Sequence, residues 1–106
     1  MHATFAALSD PSRLRIVELL RRGPRSVNEI SDRLEIAQPQ VSKHLRTLRE
    51  AGLVAVEPRA QQRVYELASK PLEQLDDWLA PFRAAWNRRL DALEARLAAL
   101  PDRRKK

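Results

Sequence analysis

The side chains best equipped for chemistry in this chain are amides and cations packed into one short run. Gln38, Gln40, Ser42, Lys43, His44, Arg46, Thr47 and Arg49 all lie between Ala37 and Glu50. A glutamine amide can pair with the N6/N7 edge of adenine in a major groove, and a lysine can reach guanine O6 or N7. Hydroxyls and arginines suit phosphate oxygens, which fix register without reading sequence. At 100° per residue, Val41, Leu45 and Leu48 form one inward stripe, and Gln40, Lys43 and Thr47 point away from it. Ser42, Arg46 and Arg49 lie on one flank, and His44 sits at the opposite edge. Gln38, Gln40 and Lys43 are therefore assigned to bases, and Ser42, Arg46 and Arg49 to phosphates. His44 has two readings, a base contact or an edge packing with a backbone bond. A second basic cluster follows, with Arg59 and Arg63 flanking Gln61 and Gln62; such a tip suits an adjacent minor groove. Polar residues opposite an apolar stripe also describe any solvated helix. The conjunction of a capped helix, a short turn, a Gln-Pro start, a glycine stop and a basic hairpin favours the groove-binding reading.

The elements that must hold these residues follow from caps and periodicity. Residues 3–8 make a short apolar helical turn. Asp10 caps a second helix with Pro11 at its first position, where the missing N–H is no loss. Its expected apolar stripe is Leu14, Val17 and Leu20, widened by Ile16 and Leu19, and Gly23-Pro24 stops it. Ser26 and Glu29 form a capping box for a third helix with Val27, Ile30 and Leu34 inward. After the turn at 35–37, Gln38 is expected to cap the reading helix, with Pro39 first and Gly52 closing it in a left-handed conformation. Residues 53–68 hold two β-prone runs, the first closed by Pro58. Because no Asn-Gly or Asp-Gly is present, a loop longer than two residues is expected between them. Lys70-Pro71 opens a long helix, which Pro81 should kink or split. The order predicts a mostly α fold with a small β-hairpin, a winged helix-turn-helix.

Composition narrows the partners. The chain has 106 residues, a formal charge of +6, 43% hydrophobic and 32% charged residues, two glycines and no cysteine. One small domain is expected over 1–106, with a DNA-binding core at about 3–69, a C-terminal dimerisation helix at 70–100 and a basic tail at 101–106. Basic charge favours a polyanion. Without cysteine there is no disulfide and no thiolate metal site. The first residues lack a signal-peptide layout and no run is long and apolar enough to span a membrane, so a cytoplasmic protein is expected. No Ser–His–Asp grouping or glycine-rich phosphate loop suggests an enzyme; Asp76-Asp77 reads as acidic first turns of a helix.

Three stretches carry a resemblance to a known family: ALSDPSRLRIVELL (7–20), VNEISDRLEIAQPQVSKHLRTLREAGLV (27–54) and RVYEL (63–67). Over about residues 6–67 the chain resembles the ArsR-type (arsenic-repressor-like) bacterial winged-helix transcription factors. The resemblance implies a homodimer that binds a palindromic double-stranded operator, usually to repress, with the first and last helices building the dimer interface. Its best-known members sense metals, and here the chain departs from them. Ser26 and Asn28 stand where the thiolate Cys-x-Cys would be. The last helix offers Asp76, Asp77, Asp91 and Glu94 but no histidine, and softer metals want Cys or His. No metal and no other cofactor is expected. The last helix, with Leu75, Trp78, Leu79, Phe82, Trp86 and Leu90, resembles the metal-independent autorepressor branch. Its apolar stripe can serve as core, partner interface or a pocket for a small organic ligand; Phe5 and Leu8 are candidates to join it at a dimer interface. The remaining alternative is a winged helix that docks a protein, since fold does not fix function.

Overall fold

Each local signal becomes an element for an identifiable reason. The structure is a computed structural model and describes residues 1–101; the basic tail expected at 101–106 therefore lies, from Asp102 on, outside the described residues. The order is α1 (His2–Leu8), α2 (Pro11–Leu20), β1 (Arg25–Ser26), α3 (Val27–Leu34), α4 (Gln38–Glu50), β2 (Val54–Arg59), β3 (Gln62–Leu67) and α5 (Ser69–Ala99). The chain divides into two compact units, the first Met1–Leu75 and the second beginning at Asp76.

In the first unit, α2 starts where Asp10 Oδ2 accepts the Arg13 backbone N–H at 3.1 Å, with Pro11 in the first turn. This bond, reinforced by the nearby His44 imidazole, holds the Asp10 carboxyl below its ordinary value. Ser26 Oγ accepts the Glu29 N–H, and Glu29 Oε1 accepts the Ser26 N–H, both at 3.2 Å. The capping box is thus complete, and the Ser26 N–H, the Ser26 hydroxyl and the Arg25 charge lower the Glu29 carboxyl. The core of this unit is built from Ile16, Leu19, Leu20, Ile30, Val41, Leu45, Leu48, Leu53, Val54 and Tyr65. Val41, Leu45 and Leu48 are fully buried, as their spacing requires. The stripe expected on α2 is rotated: Ile16, Leu19 and Leu20 face inward, Val17 is half-buried, and Leu14 is 42% exposed.

Three expectations about the wing need correction. A third strand exists: Arg25 pairs with Tyr65 and Ser26 with Val64, giving the antiparallel order β1-β3-β2. Two residues are too few for an alternation to register in the sequence. The hairpin register ends at Arg59↔Gln62, so the turn is only Ala60-Gln61, not a longer loop. Ala60 takes φ 53° there in place of the usual glycine. A positive φ at the first central position alone is the mark of a type II′ turn. Pro58 does not close β2 but lies within it, paired with Arg63. This is tolerated because β2 is an edge strand with one side free of the ladder.

α4 begins at Gln38 with Ala37, not Gln38, as its cap residue. Its end is as expected from Gly52, φ 77°. The Leu53 N–H returns to the Leu48 carbonyl and the Gly52 N–H to that of Arg49, both at 2.9 Å. This is a Schellman closure, and Leu48 and Leu53 supply its buried apolar pair.

α5 runs unbroken through Pro81, so the split anticipated there does not occur. Proline removes one intrahelical donor. On the same stretch, Arg83 folds back to donate to the Asp76 carboxylate at 2.5 Å and to the Asp76 carbonyl at 3.4 Å. Asp76 and Asp77 are therefore not first-turn residues, since the helix opens at Ser69. Trp78 and Phe82 stack tilted, ring centres 4.8 Å apart. Trp78, Phe82, Trp86, Leu90, Leu93 and Leu97 are exposed. Among the described residues, no helix is long and apolar enough to cross a membrane.

Candidate nucleic-acid interface

The turn between α3 and α4 sets the direction of the reading helix. Glu35 takes the left-handed conformation, φ 56°, and Ser31 Oγ donates to the Ile36 carbonyl at 2.6 Å. Three residues thereby join α3 to α4, and the Ala37 carbonyl accepts the first helical N–H groups of α4, from Gln40 and Val41, at 3.0 Å each. With Val41, Leu45 and Leu48 anchored inside, Gln38, Gln40, Ser42, Lys43, Arg46, Thr47 and Arg49 are all exposed.

The assigned residues do not all stand in the same way. Arg46 Nε lies 3.2 Å from Glu50 Oε1, an exposed pair of small energetic weight that a phosphate can displace. The Thr47 hydroxyl donates back to the Lys43 carbonyl at 3.3 Å. His44 is half-buried and directs Nε2 toward Asp10 Oδ2, 3.9 Å away. His44 thus sits at the edge of α4 beside the cap of α2, with a carboxylate rather than a backbone group as its neighbour. Gln38 donates from Nε2 to Asn28 Oδ1 at 2.6 Å.

The two wing arginines separate. Arg59 stands at the tip, with its guanidinium 3.5 Å from Glu57 Oε2. Arg63 faces the helix: it shares a recess of about 390 Å³ with Val27, Ser42, Leu45, Arg46, Arg49 and Tyr65. An adjoining recess of about 360 Å³ is walled by Ser26, Val27, Asn28, Ser42, Gln61, Gln62 and Arg63. A basic channel thus runs between α4 and β3, with an amide-rich end at Asn28 and a guanidinium-rich end at Arg49. Its electrostatics suit a phosphate backbone. Asn28 and the strand partnership of Ser26 are the features sequence reasoning missed. The first lies outside the reading helix, and the second is a pairing too short to see.

A helix-turn-helix followed by a two-stranded wing with a basic face defines the class of winged helix-turn-helix regulators. The chain belongs to the arsR family of bacterial regulatory proteins, whose family model matches residues 10–56. It is 30% identical to the transcriptional repressor SdpR of Bacillus subtilis over 77% of this chain and 91% of that protein. It is 40% identical to the HTH-type transcriptional regulator Rv2034 of Mycobacterium tuberculosis over 81% of this chain and 78% of that one. Among solved structures, the ArsR-like transcriptional regulator from Rhodococcus sp. RHA1 superposes with a TM-score of 0.70 at 31% identity, over 89% of each chain. These relatives carry the names of transcriptional regulators, not of enzymes.

Proposed function

We propose that this chain is a homodimeric transcriptional repressor that grips a palindromic operator through α4 and its wing, with no metal-sensing site. The observation that carries the reading is that Gln38, Gln40 and Lys43 are exposed on α4, beside the recess that Arg46, Arg49 and Arg63 line. Gln38, Gln40 and Lys43 read base edges, while Ser42, Arg46, Arg49 and Arg63 hold phosphates. Thr47 borders this face, Arg59 extends it at the wing tip, and His44, on α4 itself, packs beside the Asp10 cap of α2. Residues 3–69 act as the DNA-binding part, and the helix at 70–100 joins the two protomers. Phe5, Leu8, Leu75, Trp78, Leu79, Phe82, Trp86 and Leu90 form the joining surface. A two-fold dimer sets its reading helices about 34–36 Å apart, one turn of DNA.

The absence of metal sensing is supported by the donor set. Ser26 is buried and its hydroxyl is engaged in the α3 cap, while the Asn28 amide oxygen is taken by Gln38. Neither offers a thiolate or imidazole, so these residues do not fit a soft or borderline metal. On α5 the Asp76 carboxylate is tied to Arg83. The apolar last helix, with Leu75, Trp78, Phe82, Trp86 and Leu90, supports the metal-independent, autorepressor-like branch.

The test is fluorescence anisotropy against DNA from upstream of the protein's own gene, at two salt concentrations, with excess random duplex. The account expects tight binding that falls steeply with salt, because phosphate contacts release counterions. Lys43→Ala weakens upstream-DNA binding more than random-DNA binding, and Arg46→Ala weakens both alike. A salt-independent response favours a protein partner and contradicts the proposal. Equal losses for the two variants on both DNAs remove the division between base and phosphate contacts.

A further inference from the structure

Asn28 lies one helix away from the residues that face DNA, yet it holds the first of them. It is the second residue of α3, and its Oδ1 accepts the Gln38 Nε2–H at 2.6 Å across the helix-turn-helix turn. Both side chains are exposed, so burial does not force this bond; the backbone places the two amides within reach. The platform under Asn28 is well held. The preceding residue but one, Ser26, is at once the cap of α3 and a member of β1 paired to Val64.

The donor arithmetic gives this bond a consequence. A glutamine amide has two N–H donors and one acceptor oxygen. With one N–H committed to Asn28, Gln38 retains its Oε1 and its second N–H. Those two groups are what a bidentate contact to adenine requires, the oxygen accepting from N6 and the N–H donating to N7. Gln38 opens α4, at the end from which reading helices of this class contact bases. An untethered glutamine on a helix end samples many rotamers; a tethered one presents a fixed edge.

We infer that Asn28 is a positioning residue for base readout, aiming the Gln38 amide so that it selects adenine at one position of each half-site. The inference rests on the DNA-binding reading proposed above. It assigns a role in specificity to a residue outside the reading helix, on the wall of the channel that Arg63 and Ser42 share.

The experiment is enrichment of a randomised duplex library on the full chain. Wild type is compared with Gln38→Ala, Asn28→Ala, the double variant and Asn28→Asp. Wild type is expected to enrich adenine about tenfold at one position per half-site, and Gln38→Ala to lose that preference. Asn28→Ala is expected to lose at least threefold of the same preference while other positions keep theirs, and the double variant to lose no more than Gln38→Ala. Asn28→Asp keeps an oxygen to accept the Gln38 N–H. It should retain the adenine preference while its added negative charge lowers affinity for every sequence. The inference is overturned if Asn28→Ala keeps the wild-type profile, if it weakens all positions evenly, or if Asn28→Asp loses the adenine preference as Asn28→Ala does. It is equally overturned if wild type enriches a motif in which Gln38→Ala loses no adenine. A wild-type library with no enriched sequence contradicts the DNA-binding reading itself.

Discussion

The helix-turn-helix and the distal part of α5 share one sequence rhythm and reach opposite ends of exposure. Val41, Leu45 and Leu48 repeat at steps of four and three and are wholly buried; Trp78, Phe82 and Trp86 repeat at steps of four and stand 44%, 57% and 60% exposed. Periodicity therefore reports that a face is apolar, not what covers it. In the first unit the cover is the chain itself, with α2, α3, β2 and β3 supplying Ile16, Ile30, Val54 and Tyr65. A row of exposed aromatic and leucine side chains on one helix is the surface that a partner would cover. The proposed dimer follows from that contrast, and substitutions in the two regions should be felt in different measurements.

The largest effect is expected in the buried region. Leu45→Ala should cost about 2–5 kcal/mol of folding stability in urea titrations, through lost burial and a residual cavity. Leu14→Ala, on the face that the sequence places inward and the structure places outward, should cost less than about 1 kcal/mol. Equal costs for the two would mean that α2 packs as its sequence suggests. Trp86→Ala should leave the helical signal of the protein unchanged and weaken self-association about tenfold or more, read by sedimentation equilibrium. A folding loss as large as that of Leu45→Ala would erase the distinction between the two regions.

Smaller effects sharpen the account of the first unit. Ser26→Ala removes the cap of α3 and should cost about 1 kcal/mol by chemical denaturation. The carboxyls of Asp10 and Glu29 are both lowered on folding from ordinary values of 3.8 and 4.5. A lowered carboxyl stabilises the fold above its unfolded value and loses that contribution as pH falls through the folded one. Thermal melts should therefore hold steady down to about pH 5 and fall below about pH 4, and Asp10→Asn should flatten part of that fall. Ala60→Gly should be the mildest change, a gain below about 1 kcal/mol as the positive φ at the wing tip is relieved.

How much of this was legible in the sequence depended on how local each cause is. The caps at Asp10 and Ser26, the Gly52 stop and the α4 core stripe are set by side chains within a few residues, and they stand as read. Leu14 was misplaced because α2 is apolar over a wide arc, and the choice of which edge faces inward belongs to α3 and α4. The tight wing turn was hidden because Ala60 adopts a conformation normally signalled by glycine. Strand β1, the His44–Asp10 approach and the Asn28–Gln38 bond join segments that only the tertiary fold brings together, so neither composition nor spacing announces them. On α4, residue types indicated which side is exposed. The division of the wing into an outward Arg59 and a channel-facing Arg63 needed the β2–β3 register.

The central claim is that two copies of this chain present the α4 face to one duplex. Its most direct test is sedimentation velocity of labelled DNA from upstream of the gene, with the protein at micromolar concentration and at low and moderate salt. The account predicts protein alone at twice the 12.2 kDa of one chain, and a complex of two chains per duplex that dissociates as salt rises. A protein that sediments as a single chain and fails to shift the duplex at either salt would contradict it.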